Sequence, residues 1–173
     1  INVDRIEIAS ARVSEGEKDA VKMVCRNAER DGMLDRIEVL GFVDGRQSID
    51  WIYDCGGKVI NLLAKGSLKH CTQQLHKTPE EHISDILREL EYAERKHMTV
   101  NLYLEDWSNG MKRSREYVYR LMEKLIHSNI KRFMLPDTLG IMNPLQCVEY
   151  MRKMLKHFPD QHFDFHAHND YDL

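Results

Sequence analysis

His162-Phe163-Asp164-Phe165-His166-Ala167-His168 alternates polar and apolar residues without a break. That period of two belongs to a β-strand with two unlike faces. Asp164, His166 and His168 share one face, and Phe163, Phe165 and Ala167 the other. The apolar set should pack under helices and the polar set should face an enclosed interior. A lone buried histidine is usually structural. Two at i and i+2, at the end of a strand and followed by Asn169-Asp170, also form a pair of metal ligands. Two imidazoles do not complete a site, so further ligands would come from elsewhere.

Working back from this strand, five more β-like runs alternate with helical ones. They are Arg5–Ser10, Arg36–Phe42, Lys58–Ala64, Thr99–Glu105 and Arg132–Pro136. Each is rich in branched, aromatic or leucine residues and bounded by turn formers. Five helices are expected between them. Ser14 followed by Glu17 opens the first, which runs to about Arg30. Gln47 to Asp54 is a short second. Thr78-Pro79-Glu80-Glu81 starts the third, with Ile83, Ile86, Leu87 and Leu90 at helical spacing. Ser114 to His127 is the fourth, and Asn143-Pro144 starts the fifth, which runs to about His157.

Strands separated by helices pair in parallel. The repeat of about 30 residues suits a (β/α)8 TIM barrel or a doubly wound sheet. No Gly-x-Gly-x-x-Gly turn follows any strand, which disfavours a dinucleotide fold. Polar residues gather instead at the C-terminal ends of several strands: Glu105, Asp137, Thr138, His166 and His168. Barrel active sites are built this way. A full barrel needs eight strands and roughly 250 residues. The 173 residues here are therefore expected to be a partial barrel, lacking the first βα unit and the last strand region.

Composition narrows the function classes. The chain is 42% apolar and 31% charged, with a formal charge of −3. That balance opposes a dedicated nucleic-acid surface, which wants a concentrated basic face. The mean hydropathy of −0.54 and the lack of a long apolar run oppose a membrane span. The first residues lack the basic and apolar regions of a signal peptide. Four cysteines without a CxxC pattern read as buried free thiols. A reducing, cytoplasmic compartment is expected.

Other residues have two readings each. Glu105 shares a strand face with Tyr103 and would point into the barrel mouth, or it is a surface carboxylate on a loop. Asp106 faces the other way and reads as structural. Asp137-Thr138-Leu139-Gly140 supplies an acceptor, a hydroxyl and a tight bend, which plain turn chemistry also explains. His70, in Gly66-Ser67-Leu68-Lys69-His70, has the same ambiguity. By strand parity Leu40, Leu63 and Tyr103 face inward on neighbouring strands near the mouth. They would narrow an acceptor pocket, or they are ordinary barrel filling.

Together, Glu7 in RIEIAS, Ser67 and His70 in KGSLKH, Glu105 and Asp106 in YLED, Asp137 and Thr138 in LPDTLG, and HAHNDYDL resemble the family of 2-isopropylmalate, citramalate and homocitrate synthases. Hydroxymethylglutaryl-CoA lyase is a more distant relation. GFVDG, KGSL.H and LEDWSNG look most like the citramalate synthase branch. One departure is Asp172, where many members have glycine. The resemblance implies a barrel enzyme that condenses acetyl-CoA with a 2-oxo acid. It implies His166 and His168 as ligands of a divalent metal (Zn, Mn or Mg), with His70, Glu105 and Thr138 lining the 2-oxo acid site. It also implies a homodimer. The family's first-strand Arg-Asp-Gly motif, which supplies a third metal ligand and a substrate-binding arginine, is expected to be absent from this sequence. So is a later Asn ligand. A small pocket walled by Leu40, Leu63 and Tyr103 would favour pyruvate, with 2-oxoisovalerate as the alternative. A carbon–carbon lyase on the same scaffold, or a non-catalytic barrel, are the other readings.

Overall fold

The computed structural model describes residues 3–170. The strands are β1 (Ile6–Ser10), β2 (Ile37–Phe42), β3 (Val59–Lys65), β4 (Thr99–Glu105), β5 (Ile130–Asp137) and β6 (Phe163–Ala167). They form one parallel sheet in sequence order, β1 to β6. Helices α1 (Glu15–Arg30), α2 (Gln47–Asp54), α3 (Pro79–Arg95), α4 (Trp107–Arg113), α5 (Arg115–Leu125) and α6 (Pro144–His157) lie between the strands. The result is a half-barrel, as the alternation predicts.

The helix starts follow local chemistry. The Ser14 side chain accepts from the Glu17 N–H, and full capping boxes open α3 (Thr78 with Glu81) and α6 (Asn143 with Gln146). Each box satisfies amides that a helix N-terminus leaves unpaired. Among the described residues six helices lie between the strands where the sequence pattern predicts five. α4 begins after Asp106, whose backbone is left-handed with φ 64°. It is short and held by tertiary packing, with Trp107 and Met111 fully buried. Gly110 in α4 lies so close to the Gly66 carbonyl, and Gly66 to that of Leu104, that a Cβ at either would collide with backbone. Glycine at both positions lets α4 seat on the ends of β3 and β4. A π-helical turn, His70–Gln74, and a 3-10 turn, Leu34–Arg36, were also unforeseen.

The two sheet faces differ sharply. Val39, Ile60, Leu62, Ala64, Leu102, Leu104, Phe133 and Leu135 point to the helices and are buried. The opposite, inward face carries a polar network. The Asn61 side-chain amide donates to Glu7 (2.5 Å) and Glu38 (3.0 Å), and Asn101 donates to Asn61 (2.8 Å). Arg132 pairs with both Glu38 and Asp164, and its Nε donates to Asn101 (3.2 Å). Each member finds a partner, which an enclosed polar group requires.

On the outer side, buried His82 of α3 accepts the Lys65 N–H on Nε2 at 3.0 Å. Burial, and then the Lys77 charge, push its pKa down to about 4. An unfolded histidine titrates near 6.5. Between these values the unfolded chain takes up a proton that the folded chain refuses. The contribution is therefore full above about pH 6.5 and falls as pH drops toward about 4, by up to about 3 kcal/mol. Denaturant unfolding from pH 8 to 4 should show this loss. His82→Gln, which keeps an acceptor for Lys65, should flatten it; an unchanged slope would refute the assignment.

Candidate active site

Strand parity carries three consecutive pairs of inward residues up β3 and β4: Asn61 beside Asn101, Leu63 beside Tyr103, and Lys65 beside Glu105. Leu40 pairs with Asn61, one step deeper than Leu63, and Phe42 stands opposite Leu63. The inward apolar step thus includes Phe42, which has the same parity as Leu40 but was not singled out from sequence. His166 pairs with Pro136 on β5. Its ring lies 5.6 Å from that of Tyr103.

The rings of His166 and His168 stack at 4.8 Å with an interplanar angle of 18°. Desolvation, then the neighbouring His168, push the His166 pKa down, against an opposing pull from Glu7. A lowered pKa favours the neutral imidazole, the form that binds a metal. Two imidazoles side by side at the C-terminal end of β6 fit as part of a donor set for a divalent ion. Among the described residues no group of three or more His, Cys, Asp or Glu side chains converges to hold one. The tripeptide Arg30-Asp31-Gly32 does occur, but at the C-terminal end of α1, where Asp31 caps the helix. A helix returning from one parallel strand to the start of the next ends at the opposite rim from the strand C-termini, so this Asp31 is no partner for the histidines.

At the end of β4, Asp106 is a hub. Buried at 1% exposure, it accepts from Ser67 Oγ (2.7 Å) and Asn109 Nδ2 (2.8 Å) and lies 3.4 Å from His70 Nε2. Its backbone N–H donates to Thr138 Oγ1 at 2.8 Å. That bond occupies a lone pair of the hydroxyl and leaves its hydrogen free to donate. His70 is largely enclosed, in a π-helical turn. Sequence reading took Asp106 as structural, and its position links His70 to Thr138. Lys65, inward at the end of β3, forms an ion pair with Glu105. Its parity and its place next to Gly66 were the available signals.

Asp137 points to the helix side, where its carboxylate accepts the Met142 N–H at 2.8 Å. It shapes the turn after β5. Gly140 in that turn has φ +58°, and a Cβ there would sit 2.6 Å from the Asp170 carboxylate. The two loops therefore interlock, which needs glycine at this position. A cleft of about 600 Å³ opens beside them, lined by Ser67, His70, Asp106, Asn109, Arg113 and Leu139 among others. The departure at Asp172 lies outside the described residues.

The structure is a parallel half-barrel that carries a histidine pair and a buried Asp106 hub at the C-terminal ends of its strands. The HMGL-like family matches residues 1–173, and the chain belongs to it. It is 28% identical over its whole length to the 2-isopropylmalate synthase of Sulfolobus acidocaldarius, covering 43% of that protein. It is 25% identical to the (R)-citramalate synthase of Methanocaldococcus jannaschii, again over its whole length and 33% of that protein. The chain thus spans less than half the length of these curated relatives. An HMG-CoA lyase structure from Brucella melitensis superposes over 96% of the chain and 59% of the lyase, with a TM-score of 0.71 and 16% identity. That likeness speaks for the fold.

Proposed function

We propose that this chain is part of the catalytic barrel of a metal-dependent acyltransferase that condenses acetyl-CoA with a 2-oxo acid, pyruvate in the first place, giving citramalate. The observation that carries the reading is the packing of Tyr103, beside Leu63, against the His166 ring. It brings bulky side chains to the histidine pair, and in this reading they restrict the acceptor to a methyl substituent. The synthases among the relatives support the reaction class. The same reading has the full protein cytoplasmic and homodimeric, with no membrane or nucleic-acid partner. Among the described residues no helix is long and apolar enough to cross a membrane.

His166 and His168 would hold the divalent ion. When bound, such an ion supplies Lewis-acid polarisation of the acceptor carbonyl. The chain's own residues do the rest. Thr138, oriented by the Asp106 N–H, donates its hydroxyl hydrogen to the 2-oxo acid carboxylate. Leu40, Leu63 and Tyr103 wall the substituent. Glu105 and His70 stand at the rim where the acetyl methyl loses a proton before the new carbon–carbon bond forms. Hydrolysis of the thioester then releases CoA.

The test is turnover by the full protein with each acid. Pyruvate should exceed 2-oxoisovalerate in kcat/KM by at least about 10- to 200-fold, the range a single methylene commands, since the two acids differ by two carbons. Leu63→Ala should narrow that ratio. A wild-type preference for 2-oxoisovalerate would replace this reading with 2-isopropylmalate synthesis. Cleavage of an acyl-CoA without condensation would replace it with a lyase.

A further inference from the structure

We propose that Lys65 is a positioning residue for Glu105, an inference that rests on the condensation reading above. The two are cross-strand partners at the last inward step of β3 and β4. Their side chains form an ion pair through Glu105 Oε2 and are only 16% and 23% exposed. A pair this shielded is screened far less than one on an open surface.

The backbone beneath Lys65 is held on every side. Its N–H donates to His82 (3.0 Å) and its carbonyl accepts from the Tyr117 hydroxyl (2.9 Å). The next amide, of Gly66, donates to the Glu105 carbonyl at 2.6 Å. Gly66 itself is pressed against Leu104 and Gly110. With both strand ends locked, the ammonium has a fixed origin. It fixes the carboxylate in turn, because a glutamate has three rotatable side-chain bonds and would otherwise sample several rotamers.

Electrostatics give the pair a second consequence. A bare carboxylate at this rim would repel an incoming 2-oxo acid. Paired with Lys65, Glu105 presents no net charge to it. Lys65 therefore holds Glu105 aimed and tolerable to an anionic substrate.

The experiment uses the full protein and steady-state kinetics with pyruvate and acetyl-CoA. Lys65→Met should lower kcat on the order of 10²-fold, the cost of misplacing a reacting group. KM for pyruvate should rise as well, by a smaller factor, because methionine leaves the Glu105 carboxylate bare to the incoming acid; the loss in kcat is what marks the positioning role. Lys65→Arg, which keeps the cation, should restore most of kcat. A rise in KM at unchanged kcat would make Lys65 a substrate ligand and overturn the proposal, as would unaltered kinetics. A second measurement is independent of turnover. Amine labelling of Lys65, read by mass spectrometry, should rise in Glu105→Gln because the ammonium loses its partner. Unchanged labelling overturns the ion pair. An inactive wild type with partner-dependent labelling overturns the condensation reading and leaves the pair standing.

Discussion

Arg132→Leu should cost about 3–5 kcal/mol of stability, the penalty for leaving a buried charge unpaired. Glu38 is 3% exposed, and the Arg132 guanidinium is the cation against it; Arg5 lies further off, at 3.6 Å, on an exposed side chain. Asp164 loses its cation as well, and Asn101 loses a donor. A leucine fills the space but answers none of these groups. Glu38→Gln in the Arg132→Leu background should recover part of the loss, because the uncompensated charge and not the lost contact dominates. Denaturant unfolding of the two variants and the wild type measures this. A loss below about 1 kcal/mol, the size of a surface pair, would show that the interior network is solvated and not structural.

His166→Ala should abolish turnover in the full protein, by on the order of 10³-fold or more, since Lewis-acid stabilisation is worth several kcal/mol. Stability should change little, because both histidines are exposed at the rim. His168→Ala should do the same, and the double variant should be no worse than either alone, as for groups that act as a unit. Metal analysis and calorimetric titration of the purified proteins give the readout apart from activity. Undiminished affinity for the divalent ion in the double variant would remove the pair from the site, whatever the rates.

Much of this was legible along the chain because its causes are local. The period of two on Phe163–Ala167 put His166 and His168 on one face from neighbouring residues alone. Caps at Ser14, Thr78 and Asn143 act within four residues, and the helices begin where those caps stand. Inward parity for Leu40, Leu63 and Tyr103 needed only strand assignment. α4 was missed for the opposite reason: its start is a left-handed Asp106 and its seat is Gly66, 44 residues from Gly110. Such a helix has little local preference to read.

The amino-acid order by itself determined the parallel alternation, the face each strand residue occupies and the histidine pair at a strand end, because backbone periodicity assigns these before any long-range contact forms. Tertiary structure alone decided which polar residues meet. Arg132 finds Glu38 across 94 positions, Lys65 finds Glu105 across 40, and Asp106 joins Ser67 across 39 to Thr138 across 32. Parity says that such groups point inward. Only the register between strands, set by side-chain packing across the sheet, says which inward group faces which.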